Sequence, residues 1–313
     1  MSNQYPLVSV CMIAYNVEPY IAKAIEGVLS QKTEFPFELV IGEDCSKDNT
    51  RQICEAFAAQ YPGIIHLLAS DVNHGMAGNY ARTLAQCRGK YIAVCDSDDI
   101  WVDPWKLQQQ VRFLEENPDF GVVYTDVETI SENGEIFNDP DHEQIRTGYA
   151  EGDVFFQLLQ GNFINHPTAV YRPDLLSGHR IDVDRNYYNY DHFLWLYIAP
   201  QSKIGFINAK TTHYRKHSNS VTKSRISNRH KFQYHLCDIL LAFDRHYNKA
   251  LSRSEQTLIF KKMLSVLYRK ENTLKMKIRI LGRIPKYFPG LTGLTQVIFS
   301  KIRTKYPQQA TIG

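Results

Sequence analysis

The chain has 313 residues, 43% of them hydrophobic and 22% charged, with a net charge of +3, the composition of an ordinary soluble globular protein, which argues against disorder. The charge is uneven: residues 261–313 hold twelve Lys or Arg against the single acid Glu271, so this segment carries +11 and the preceding residues −8. Six cysteines without a CxxC pair or zinc-ligand spacing, a start that lacks the features of a secretory signal, and no run of the roughly 18 apolar residues that span a bilayer together predict a reduced, cytoplasmic protein.

Apolar runs rich in β-branched residues alternate with helical periodicity through about the first 130 residues, the rhythm of βαβ units and a parallel sheet. Leu7 to Ala14 is the first predicted strand. Asn16 then reads as a helix cap, with Ile21, Ala24, Ile25, Val28 and Leu29 at helical spacing behind it. Phe37 to Ile41 makes a second strand, followed by the polar run GEDCSKDNT, in which Asp48 caps a helix to about Gln60. A third strand covers Ile64 to Leu68 and a helix Gly78 to Cys87. The fourth strand, Tyr91 to Cys95, ends in Asp96-Ser97-Asp98-Asp99. Next come a helix over Pro104 to Asn117, a strand over Gly121 to Ile130 and a hairpin turn at Asn133-Gly134. Beyond Gly152 the pattern predicts a helix over Val154 to Gln160, a strand at Thr168 to Tyr171, a helix over Asp191 to Ile198, and two short strands, Lys203 to Ile207 and Thr211 to Tyr214. From about Asn228 the chain reads as helical and increasingly basic. The fold class is therefore α/β: an open, mostly parallel sheet flanked by helices, with a helical basic C-terminal extension. Residues 1–225 form the expected main domain, divided into halves 1–103 and 104–225, and residues 226–313 the extension.

Ligands of open α/β sheets bind at the carboxyl ends of the strands, so the loops at Tyr15-Asn16, Glu43-Asp44 and Asp96 to Asp99 are expected to converge. Carboxylates two apart in an extended segment point the same way. Asp96 and Asp98 can thus share a divalent cation, Mg²⁺ or Mn²⁺, that stabilises a departing diphosphate; a solvated Asp-rich turn is the alternative. Asp44 can accept hydrogen bonds from a base edge or ribose. Asn73 and Gly75, ahead of a helix, suit an anionic group of a ligand. No GxGxxG follows the first strand, where NVEPY stands, which argues against a dinucleotide-binding dehydrogenase.

The segments VSVCMIAYN, VIGEDCSKDNT and NHGMAGNYARTLAQCRGKYIAVCDSDD, in this order, resemble the family 2 glycosyltransferases with the GT-A fold, strongly over Pro6 to Asp103 and weakly to about Thr222. The resemblance implies inverting transfer of a sugar from a nucleotide diphosphate donor, often a UDP-sugar. It assigns Ala14, Tyr15, Asn16, Glu18 and Asp44 to the nucleoside, and Asp96 and Asp98 to ribose and metal, with Asp99 adjoining. Glu43 stands where the family usually has Asp. His217, in THYRKHSNSVT, resembles a late family Tyr-Arg-x-His, which implies that His217 completes the metal shell and Arg215 meets phosphate; a basic exposed loop is the other reading.

Inverting transfer needs a base for the acceptor hydroxyl. Asp191, in YNYDHFLWLYIA, resembles the family's acid; it also reads as a helix cap, with Asp182 and Asp184 as competing acids. His166, in NFINHP, reads as a loop histidine beside a proline or as a lining of the acceptor pocket. In residues 261–313, apolar positions such as Ile280, Ile284, Phe288 and Val297 interleave with cations, suiting a membrane interface; a helical cap packed on the domain with a solvated basic side is the other reading. The expected partners are a nucleotide-diphosphate sugar, a glycan or lipid-linked acceptor of surface polysaccharide, and an anionic membrane surface, with no nucleic acid. Two other classes remain: a non-catalytic nucleotide-sugar-binding protein, and a nucleotidyltransferase, which should show a glycine-rich basic loop where AYNVEPY stands.

Overall fold

The computed structural model describes residues 5–177 and 190–218 and, further on, Lys261, Ile278, Leu281 and Gly282. The chain divides into two compact units, residues 1–223 and 224–313. In the second, the four described positions are helical; the remainder of the expected extension, like Asp182 and Asp184, lies outside the described residues.

The first unit opens with strands β1 (Val8–Ala14), β2 (Phe37–Glu43), β3 (Ile65–Ala69) and β4 (Tyr91–Val94), alternating with helices α1 (Ile21–Leu29), α2 (Thr50–Gln60) and α3 (Gly75–Leu84). β1 runs parallel between β2 and β4, and β2 runs parallel to β3. Covered on both faces, β1 has to be apolar at nearly every position, so it reads as a continuous hydrophobic run. α1 turns Ile21, Ala24, Ile25 and Val28 onto this sheet at helical spacing, all fully buried. α3 packs so closely on β2 that a Cβ at Gly42 would stand 1.9 Å from Thr83 Oγ1.

The chain continues through β5 (Ile100–Trp101), α4 (Lys106–Glu116), β6 (Phe120–Ile130), α5 (Pro140–Arg146), α6 (Phe155–Gln160), β7 (Val170–Tyr171), α7 (Tyr190–Ile198) and β8 (Lys203–Arg215). The eight strands form one mixed sheet in the order β3-β2-β1-β4-β7-β6-β8-β5. β7 is antiparallel to both β4 and β6, β5 is antiparallel to β8, and β6 is parallel to β8. Among the described residues no helix is long and apolar enough to cross a membrane.

Several expectations are corrected. Asn16 does not cap α1, whose N-cap position is Tyr20; it adopts a left-handed φ of 52° and serves the loop instead. Asp48 stands before the cap position of α2, Asn49, yet it supplies the capping bond, Oδ1 accepting from Thr50 N at 3.0 Å. α3 begins at Gly75 rather than Gly78. The two short late strands are one thirteen-residue strand, because the pairing steps from Thr125–Ile207 to Asp126–Lys210 and the irregularity imitates a turn in the sequence. α5 was not foreseen, although Asp139 at the cap and Pro140 at the first position are a helix-start signal.

Lys106 is an anomaly in the core. It is fully buried; Nζ donates to Gln110 Oε1 at 2.6 Å and to Thr168 O at 3.3 Å and lies 4.3 Å from the centre of the Trp101 ring, with no carboxylate among the described residues paired to it. Burial lowers its pKa from 10.5 to about 7. The unfolded chain therefore holds a proton between those values that the folded chain has released. Below pH 7 both states are protonated and the cost of burying the charge is fully present; above it, stability climbs with pH by at most about 1.4 kcal/mol per unit. Thermal melts between pH 7 and 9 are expected to show this rise, and Lys106→Met to remove it. The window stops at 9 because burial raises the Cys54 and Cys95 thiols, so unfolding releases protons there and the slope reverses.

Candidate functional site

The carboxyl ends of β1 and β2 carry loops that lock onto each other. After β1, Asn16 N donates to Ser46 Oγ at 3.1 Å and Asn16 Oδ1 accepts from Lys47 N at 2.8 Å. Glu18 accepts from the backbone and side chain of Asn49, at 3.0 and 2.7 Å, while its own N–H donates to Asp48. The loop after β2 turns through Cys45 at a left-handed φ of 62°, a conformation that costs a non-glycine residue energy and is held here by these cross-loop bonds. Tyr15 and Asn16 are exposed, and Ala14 is buried beneath them.

The two acids ending β2 take different roles. Glu43 is fully buried; against the upward pull of burial, hydrogen bonds from Ser46 N and Arg51 hold its carboxyl below the ordinary range. Asp44 meets the loop before α3: Oδ1 accepts from His74 N at 2.8 Å and its carbonyl accepts from Asn73 Nδ2 at 2.9 Å. Asn73 Oδ1 accepts from Gly75 N, and Gly75 has φ of 71°. Asn73 and Gly75 therefore shape the cradle around Asp44, with the Asn73 amide engaged within the loop.

The acidic cluster is not extended. Asp99 N donates to Asp96 O at 3.1 Å, closing a turn, so Asp96 and Asp98 reach different partners. Asp96 Oδ1 stands 2.9 Å from His166 Nδ1, and Asp98 Oδ2 stands 2.9 Å from His217 Nε2 across 119 residues. Both histidines are buried. β5 explains the second meeting, because it runs back along β8, Ile100 opposite His213, and carries the acidic turn to the end of that strand. Asp99 is buried, with Oδ1 accepting from Arg215 N at 2.7 Å; burial, then Asp98 and Asp96, push its carboxyl well above the ordinary range.

Arg215, expected at a phosphate, is engaged by main-chain carbonyls through Nε and Nη1. Its guanidinium donates to the carbonyls of Asp98, Ser131 and Glu132 at 2.9, 3.1 and 2.9 Å and lies 4.8 Å from the centre of the Tyr20 ring. It braces the acidic turn against the loop after β6. Tyr20, which sequence reasoning missed, also lies 5.0 Å from the His217 ring, covering both residues from the loop after β1.

Asp191 lies inside the first turn of α7 rather than at its cap and is buried. Its Oδ2 accepts from Asn162 Nδ2 at 2.8 Å, a partner no local signal announced. Next to it, Tyr190 OH stands 3.4 Å from His166 Nδ1, so a chain of contacts joins α7, through His166, to Asp96. His166 thus belongs with the acidic turn and is more than a loop histidine.

Among the described residues no three His, Cys, Asp or Glu side chains form a ready-made metal cage. Asp98 and His217 offer one oxygen and one nitrogen. A carboxylate with an imidazole suits Mn²⁺ better than Mg²⁺, which prefers oxygen throughout, and phosphate oxygens and water would complete the shell.

A family model described as glycosyl transferase family 2 matches residues 9–179. An uncharacterised protein of Mycobacterium tuberculosis (strain ATCC 25618 / H37Rv) is 33% identical over 224 residues, 72% of this chain and 63% of that protein, so the chain spans less than two thirds of that relative. The Escherichia coli protein named UDP-Glc:alpha-D-GlcNAc-diphosphoundecaprenol beta-1,3-glucosyltransferase WfgD is 29% identical over 70% of this chain and 81% of its own. S. aureus TarS 1–349, solved in complex with UDP-GlcNAc, is similar in fold, with a TM-score of 0.59 at 18% identity over 97% of this chain and 87% of its own.

Proposed function

The chain belongs to glycosyl transferase family 2, and from that premise we propose that it transfers a sugar, with inversion, from a nucleotide diphosphate donor such as a UDP-sugar to a hydroxyl of a glycan or lipid-linked acceptor in polysaccharide biosynthesis. The observation that carries this reading is the contact of Asp98 with His217, which joins two distant segments at the carboxyl ends of the parallel strands, the end that also presents Asp44. WfgD, which acts on a diphosphoundecaprenol-linked sugar by its name, and TarS, solved with UDP-GlcNAc, support the donor and acceptor classes.

In this reading Asp44 receives the nucleoside, because its loop is already fixed by His74 N and Asn73. Asp96, steadied by His166, faces the ribose. Asp98 and His217 would hold a divalent cation, which when bound offsets charge on the departing diphosphate. Asp191, anchored through one oxygen by Asn162, takes the proton of the acceptor hydroxyl through the other as that hydroxyl attacks the anomeric carbon. The reading extends to work at the cytoplasmic face of a membrane, supported by the +11 charge of residues 261–313, which suits anionic headgroups.

The test is saturation-transfer NMR of the protein with UDP-, GDP- and dTDP-sugars, each with and without Mn²⁺. One donor is expected to bind in a metal-dependent way. No binding of any donor with Mn²⁺ present would remove the reading.

A further inference from the structure

The core lysine and the acidic turn are connected. Three donors from the segment after the turn converge on the short 3₁₀ turn His166–Thr168: Trp101 Nε1 donates to Pro167 O at 2.9 Å, Gln110 Nε2 to Thr168 O at 2.8 Å, and Lys106 Nζ to Thr168 O at 3.3 Å. Gln110 is itself oriented by Lys106 through Oε1 and by Val123 O through Nε2. The same 3₁₀ turn delivers His166 to Asp96.

Packing alone does not require an amine here, since a methionine would fill the space without the cost of a desolvated charge. The charged or titratable groups that act on Lys106 are Cys95, at the end of β4, and Asp103, just ahead of α4, and neither is hydrogen-bonded to it. Its hydrogen bonds go to the Gln110 side chain and to the main chain of the 3₁₀ turn. We propose that Lys106, acting with Gln110, is a positioning residue for donor binding: it holds the His166–Thr168 turn in the place from which His166 orients the Asp96 carboxylate. The donor part of this proposal rests on the glycosyltransferase reading; the placement of His166 does not.

The experiment compares Lys106→Met with the parent in three measurements near neutral pH: melting temperature, the imidazole ¹⁵N–¹H cross-peaks of His166, and affinity for UDP in the presence of Mn²⁺. The variant is expected to melt no lower than the parent, to shift or broaden the His166 cross-peaks while those of His66 on β3 stay in place, and to bind UDP about tenfold more weakly, the scale of one lost hydrogen bond. A merely structural lysine would lower the melting temperature and leave His166 alone. Unmoved His166 cross-peaks in a folded variant overturn the proposal. Moved cross-peaks with unchanged UDP affinity overturn its donor part. Should Lys106→Met not fold, Trp101→Phe removes a single donor to the same 3₁₀ turn and is read in the same way. Failure of the parent itself to bind UDP would count against the glycosyltransferase reading, and the His166 signal would still decide the placement.

Discussion

Replacing Asp191 by Asn is expected to lower turnover by about 10²–10⁴-fold, the usual contribution of a general base, while leaving donor affinity unchanged. The substitution is close to isosteric, and the Asn carbonyl oxygen can still accept the bond that Asn162 Nδ2 makes at 2.8 Å, so α7 keeps its seat. The hydrogen bonds of the Asp44 cradle and of the Asp98–His217 pair do not involve Asp191, which is why binding should survive. What the variant loses is the ability to take a proton. Turnover and donor binding measured side by side separate the two effects. Undiminished turnover would move the base to another acid, and a matching loss of donor affinity would place Asp191 in donor binding instead.

The half of the site built from β1, β2 and β4 was legible because its signals are local. Each strand is a buried apolar run that stops at a polar loop, and the loop residues that matter lie within a few positions of the strand end. What was hidden depends on pairing between distant segments. Asp98 and His217 meet because the two-residue β5 doubles back along β8, and a two-residue strand carries no periodicity to read. Arg215 looked free to bind phosphate because its partners are main-chain carbonyls, which no sequence pattern displays. Lys106 went unremarked for a related reason. A lysine opening a polar-rich helix reads as solvated, and only the covering 3₁₀ turn, some sixty positions later, buries it. Asn162 likewise sits in a short loop after α6, and its meeting with Asp191 is a matter of tertiary contact alone.

Replacing Asp98 by Asn is expected to abolish the Mn²⁺ dependence of donor binding and to lower turnover by about 10²–10³-fold, corresponding to the several kcal/mol that a cation supplies against diphosphate charge. The structure makes this substitution informative because the acidic turn does not depend on the Asp98 side chain for its position. Arg215 holds it through the Asp98 carbonyl at 2.9 Å and through Asp99 Oδ1 at 2.7 Å, and Asp99 N closes the turn onto Asp96 O. The variant therefore changes the charge offered to a cation and spares the frame around it. His217→Ala should act in the same direction but more weakly, because it removes the neutral nitrogen ligand and leaves the carboxylate that attracts the metal. Titrating UDP against each variant with and without Mn²⁺ reads the effect without turnover. Should the Mn²⁺ enhancement persist in Asp98→Asn, the Asp98 carboxylate is not what holds the cation; should it persist in both variants, neither residue belongs to its shell.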